Sequence, residues 1–224
     1  MRRLLFSAGI ASMLFLAACG GGNADKANTS EQQKVAAATG QEYTIADSSV
    51  VKWRATHKGG LNPRYGTLHI ASGNIFADSG AVTGGNFVVD INSLTVDTAS
   101  VTEPGKKASD LEKHLKSPDF FDVAKYPTAK FEITKIAAFD STKDQSAVPG
   151  ATNIVSGNLT IKDSTVNVAF PAKITSANDN ISIVASFTVD RTTWGLNYGT
   201  KGSAADWIIS KDFQIDIDLT AKAK

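Results

Sequence analysis

DLEKHLKSPDFFDVAKYPTAKFEIT, Asp110 to Thr134, joins a short amphipathic run to an aromatic-rich connection and then to an alternating run. Leu111, His114 and Leu115 fall at i, i+3 and i+4 and so share one face of a short helix. Ser109 and Glu112 stand at capping-box spacing ahead of them, and Pro118 stops the helix. Phe131 and Ile133 then alternate with Glu132 and Thr134, the period of a strand with one apolar and one wet face. The stretch reads as a lid feeding a sheet. Upstream of it, Val101 to Lys107 is polar and leaves a further helical turn open.

The same alternation recurs on both sides. Val51, Trp53, Ala55 and His57 share one face against Lys52, Arg54 and Thr56; Phe87, Val89 and Ile91 alternate with Val88, Asp90 and Asn92; Phe213, Ile215, Ile217 and Leu219 alternate with Gln214, Asp216 and Asp218. Turn signals separate these runs at Asn62-Pro63, Asp78-Ser79-Gly80, Pro149-Gly150, Lys162-Asp163-Ser164 and Asn178-Asp179-Asn180. Long strands with one apolar face curl around that face, and closure removes the edges that would otherwise pair with other chains. The expected fold is all-β: an antiparallel up-and-down barrel of about eight strands with a short helical lid inserted between two of them.

The chain ends bound the setting. Arg2 and Arg3 precede an apolar run, Leu4 to Ala18, that is shorter than a membrane span and has the layout of a secretory signal. It closes in Leu16-Ala17-Ala18-Cys19-Gly20, which resembles a bacterial lipobox, and Cys19 is the single cysteine, so no internal disulfide forms. The expected layout is a lipoprotein signal over 1–18, an acylated Cys19 with a flexible tether over 19–40, whose composition is polar and without aromatic residues, and one folded domain over 41–224. Acyl chains on Cys19 hold a domain on a membrane without spanning it. Gly20 is not the Asp that retains some lipoproteins in the inner membrane, which favours the outer one, facing the periplasm. Loss of the signal changes the formal charge from +1 to −1, and no basic stripe marks the chain for nucleic acid.

Period-two reading gives the inward candidates strand by strand. They are Trp53, then Leu68 and Ile70, then Phe87 and Val89, then Phe131 and Ile133. Leu159 and Ile161, Val168 and Phe170, Ile183 and Phe187, and Phe213 and Ile215 complete the set, and Ala185 shares the face between Ile183 and Phe187. Periodicity does not separate a packed core from the wall of a cavity. Catalysis is disfavoured: the three histidines are dispersed, leaving no Cys and His cluster for a metal, and no G-x-S-x-G, G-x-G-x-x-G or P-loop occurs.

With GNLTIKDSTVNVAFPAKI (Gly157 to Ile174) and FTVDRTTWGLNYG (Phe187 to Gly199), the opening stretch resembles the YceI family of lipocalin-like, polyisoprenoid-binding bacterial proteins, over about Tyr43 to Leu219. The resemblance implies that the inward residues line a tunnel for an isoprenoid lipid, polyprenyl or quinone-like, with no other cofactor. It also places the lid helix, with Leu111, His114 and Leu115, over the mouth. His57 matches a family histidine and Arg191 a family arginine ahead of an aromatic-Gly pair. Each His is read either as touching a head group or as a hydrogen-bonded structural group, and Arg191 either as touching it or as pairing with Asp190, Asp206 or turn carbonyls. Two departures stand out: Asp163, where the family often has Gly, and a longer loop from Phe139 to Asn153. The alternative function is a structural or stress-associated envelope lipoprotein with a filled barrel that binds a protein through its outer surface.

Overall fold

Alternating runs of this length strand half of their side chains away from water, and the chain resolves this by closing the sheet on itself. The computed structural model describes residues 24–57, 60–202 and 208–224. Its strands are β1 (Asp25–Lys26), β2 (Asn28–Ser30), β3 (Gln41–Ile45), β4 (Val50–His57), β5 (Leu61–Asp78), β6 (Ala81–Asp90), β7 (Thr128–Ala138), β8 (Asn153–Ile161), β9 (Ser164–Ala177), β10 (Asn180–Asp190) and β11 (Asp212–Ala223). One α-helix, α1 (Ala108–Lys116), and short 3-10 turns at Ile91–Ser93, Thr98–Ser100 and Arg191–Trp194 complete it.

From β4 onward each strand pairs antiparallel with the next, and β11 returns to β4 with Ile217 opposite Val51 and Ile215 opposite Trp53. That is a closed eight-stranded barrel, as the alternation predicts. β3 fills the lower part of the β4 position, between β11 and β5. Buried Ser49 pins the step between β3 and β4, its Oγ donating to Thr220 O at 3.1 Å and accepting from Thr220 N at 3.0 Å.

Two turns differ from expectation. Asn62 and Pro63 lie inside β5, beside a bulge in its pairing with β4. In the β8–β9 hairpin it is Lys162, at φ 56°, and not Asp163 that takes the left-handed conformation. Asp163 Oδ2 instead accepts from the Tyr126 hydroxyl at 3.1 Å, tying the hairpin to the segment after the lid.

The stretch read as a flexible tether is laid on the barrel from residue 25 onward, held by strand pairing and hydrogen bonds while most of its side chains stay exposed. β9 pairs with β10 only through residues 172–177 and 180–185, and above that the two strands part. Residues 25–30 fill the seam: β1 runs parallel to β10 at Phe187 and Thr188, β2 runs antiparallel to β9 at residues 167–169, and Ala27 between them is buried. The chain then crosses the outer face, where buried Asn158 accepts from Gln33 N at 3.0 Å and donates to Gln33 O at 2.7 Å, and Ala36 N reaches Ile133 O at 3.0 Å. Two diverging strand edges with unpaired backbone groups are the physical reason that a polar segment settles there. Cys19 and the signal lie outside the described residues.

Residues 91–127 cover the mouth. α1 starts two residues earlier than the capping box predicts, with Lys107 in place of Ser109 at the N-cap and no side-chain cap. Glu112 does not turn back to Ser109; its Oε1 accepts from Val96 N at 2.8 Å and so ties the helix to the β6–α1 connection. Residues 101–107 carry no helix.

Candidate functional site

Inside the mouth the barrel holds two adjoining apolar chambers. The outer one lies under α1 and is walled by Trp53, Ala55, Leu94, Leu111, Leu115, Phe120, Leu196 and Ile209, with His57, Arg64 and Arg191 as its polar members apart from the Trp53 indole N–H. The inner one is walled by Val51, Phe87, Val89, Phe131, Leu159, Ile161, Phe187, Ile215 and Ile217 among others. Leu68, Phe121 and Phe213 line both chambers and stand between them.

The polar groups of the outer chamber are engaged by the protein. Trp53 Nε1 donates to Thr95 O at 3.1 Å, across a gap that exists because Gly66 has no Cβ; one built there would lie 1.8 Å from that carbonyl. Arg191 is buried, and its guanidinium donates to the carbonyls of Ser210 (2.9 Å), Tyr198 (2.9 Å), Ile209 (3.2 Å) and Leu196. Arg64, also buried, grips Glu103 with Nη2 at 2.5 and 2.6 Å and donates to Ser100 O at 2.6 Å. That pair holds the Glu103 carboxyl below its ordinary range. Burial holds His57 below its ordinary 6.5 against a backbone hydrogen bond at Asn62, and Arg64 and Arg191 push it the same way as burial, so its imidazole is neutral at pH 7. An apolar space whose polar groups already face protein partners suits a chain of hydrocarbon.

A YceI-like domain is matched over residues 43–221. The chain belongs to the YceI-like family. Among curated relatives, a UPF0312 protein of Pseudomonas aeruginosa is 29% identical over 170 residues, covering 75% of this chain and 72% of its own length. Another from Pseudomonas putida is 31% identical over 184 residues, covering 80% and 84%. Two solved structures share the fold: a polyisoprenoid-binding domain from Saccharophagus degradans implicated in plant cell wall breakdown (TM-score 0.55, 15% identity, 83% of this chain and 100% of that one) and BcnA of Burkholderia cenocepacia (TM-score 0.54, 19% identity, 78% and 96%).

Within this YceI-like barrel the residues anticipated from sequence divide by depth. Trp53, Leu68, Phe87, Val89, Phe131, Leu159, Ile161, Phe187 and Phe213 line a chamber. Ile70, Ile133, Phe170 and Ile183 do not; they are buried with Ala185 in the packed core. Parity along a strand gives the side of the wall and not the height, so they share a face with the lining residues yet sit below them. The barrel is therefore neither hollow throughout nor filled throughout.

At the mouth, His57, Leu111, Leu115 and Arg191 line the outer chamber. Arg191 takes the turn-carbonyl alternative; Asp206 lies outside the described residues. His114 is not on the chamber side of the lid. It sits in an outer groove, Nε2 within 3.0 Å of Asp119 Oδ2, its ring edge-on to Phe120 (5.2 Å) and Tyr198 (4.7 Å). The reason is angular: i+3 and i+4 neighbours differ by about 100° around a helix, so Leu111 and Leu115 can face inward while His114 falls at the edge of the stripe.

Sequence reading missed Arg64, Glu103 and the loop-borne wall residues Leu94, Phe120, Phe121, Leu196 and Ile209. A signal existed for Arg64, which is in phase with Leu68 and Ile70 on β5. Among the described residues no group of three or more His, Cys, Asp or Glu is arranged to hold a metal ion.

Proposed function

We propose that this protein binds one isoprenoid-type lipid, polyprenyl or quinone-like, with its tail in the two chambers and its polar end beneath the lid, as a carrier or store and not as a catalyst. The observation that carries this reading is the pair of neighbouring apolar chambers that share Leu68, Phe121 and Phe213 as walls, with the two guanidinium groups of the outer one held by protein acceptors. Each Å² of tail taken from water contributes about 25 cal/mol, so binding needs no hydrogen bond to the tail. The description of the Saccharophagus degradans domain as polyisoprenoid-binding supports it. In this reading Cys19 carries the acyl anchor, and the domain faces the periplasm at the bacterial envelope, on the outer membrane, with membrane and lipid as its partners and no nucleic acid.

The protein purified from its membrane should yield an isoprenoid lipid at close to one per chain on organic extraction and mass spectrometry. Recovery of protein free of any isoprenoid, together with failure to load one from micelles, would show that the chambers serve something else.

A further inference from the structure

The wall of the barrel is split in two places, and one polar segment closes both. β9 and β10 part above their paired residues 172 and 185, and β6 and β7 pair only through residues 86–90 and 128–132 and part below. Residues 25–30 fill the first split. At the second, Ala36 N donates to Ile133 O at 3.0 Å, Thr83 Oγ1 donates to Thr39 O at 2.7 Å, and the bare backbone of Gly84 faces Ala38, whose Cα would lie 3.2 Å from a Cβ built there. The segment thus runs as a belt from β10 across β9, β8 and β7 to β6. It lies ahead of the YceI-like match at 43–221.

Behind the upper split is the inner chamber. Phe187, opposite Asp25 of the belt, walls that chamber, and Val168, Phe170 and Val189 beside it are at most 1% exposed. The β9–β10 pairs bound the split below, and above it Trp194 reaches across to β8, its indole N–H donating to Leu159 O at 2.9 Å. Between those limits lie residues 186–190 of β10, about 15 Å of strand.

The belt is fastened lightly. Asp25 Oδ2 accepts from Ala147 N at 2.7 Å in the long loop between β7 and β8, Lys26 pairs with Asp212 at 3.6 Å, and Ala27 N donates to Thr188 O at 2.9 Å. Ala27 is its buried side chain. Each wall strand buries a row of apolar side chains, so the belt opens locally while the wall stays paired.

We infer that the β9–β10 split is a second opening of the barrel, a slot facing the bilayer through which the lipid enters and leaves, and that residues 25–40 are its latch. The inference rests on the lipid-binding and anchor reading above and adds the route. Asp25 stands six positions after Cys19, so an acyl anchor brings the slot, and not only the lidded mouth, to the membrane surface. A tail sliding sideways past Val168, Phe187 and Val189 passes from acyl chains to apolar side chains without laying its surface open to water.

The test uses the full mature chain, anchored in phosphatidylcholine and phosphatidylglycerol vesicles that are then given tritiated geranylgeraniol. At timed points the chain is solubilised in cold detergent and captured on antibody, and the bound label is counted. Asn28 and Ala169 stand directly opposite each other across an antiparallel pair, close enough for a disulfide, so Asn28→Cys with Ala169→Cys locks the belt when oxidised and frees it when reduced. The oxidised pair should load at least about tenfold more slowly than the same sample reduced, with the wild type indifferent to reductant. Ala27→Asp puts a carboxylate into the split and should load about fivefold faster than the wild type, which keeps the inference testable should the pair not oxidise. Equal loading by the locked and reduced pair, or Ala27→Asp loading no faster than the wild type, overturns the slot and leaves the mouth as the route with lipid binding intact. A wild type that captures no label overturns the lipid-binding reading and this inference with it.

Discussion

Arg64 and Glu103 show what a single pair of charges does at the edge of an apolar space. The guanidinium is buried, the carboxylate grips it with both oxygens, and Ser100 O takes a further N–H, so the charge is satisfied without water or ligand. Removing one partner of such a pair leaves the other uncompensated, which costs more than the pair itself contributes. Glu103→Ala should therefore lower stability by about 2–3 kcal/mol in chemical denaturation. The pH dependence follows from the direction of the carboxyl shift. Because the folded-state value lies below the ordinary 4.5, the unfolded chain binds more protons in that range. The contribution is complete above about pH 5 and is lost as pH falls through the folded value. Denaturation curves between pH 5 and pH 3 should be flatter for Glu103→Ala than for the wild type; identical slopes would mean that the Arg64 contact does not shift this carboxyl.

At the scale of elements, α1 and the residue 24–40 segment are the two pieces laid on a barrel that is otherwise self-sufficient. No residue of α1 is fully buried, and the helix holds its place through Leu111 and Leu115 on the outer chamber, Glu112 on Val96 N, and the ring cluster of His114, Phe120 and Tyr198. An element with so little burial opens more easily than the wall beneath it. Changing Leu111 and Leu115 together to Ser should speed release of a bound prenyl lipid by about tenfold or more with a loss of only about 2 kcal/mol in stability. Stopped-flow release and thermal melts on the same samples check this, and a large fall in melting temperature without faster release would make α1 a structural plug. The 24–40 segment closes the β9–β10 seam mainly with backbone hydrogen bonds, Ala27 being its buried side chain. Its polar composition is that of a linker, and its partners are strand edges far along the chain, so nothing local in the sequence marks it as ordered.

For the whole molecule, the seam segment follows directly on the proposed anchor. Asp25, the first strand residue, stands six positions after Cys19, a reach of at most about 20 Å. An acyl chain at Cys19 would hold the β9–β10 side of the barrel close to the bilayer from which a lipid is drawn. Cys19→Ser removes the thiol that accepts the diacylglyceryl group, and the expected outcome in cell fractionation is an unprocessed precursor in the membrane fraction. A Ser variant cut after Ala18 and released would rule out the lipoprotein assignment.

The amino-acid sequence by itself determined the all-β class, the antiparallel meander and its closure, the place of the lid, and the face of each strand that turns inward, because period-two alternation and turn chemistry act over a few residues. It also carried the family, through runs such as Phe187 to Gly199. Only the tertiary structure decided how deep each inward residue sits: Phe131 and Ile133 are two residues apart on one face, yet one walls a chamber and the other is core beneath it. Depth depends on the register of strands brought together from across the chain. The tertiary structure likewise decided that Arg64 finds Glu103 39 positions away, that Glu112 serves Val96, and that a linker-like segment closes a seam. Each of these is a contact whose partner is chosen by folding and not by neighbours in sequence, since a buried charge or an unpaired strand edge takes the nearest complementary group in space.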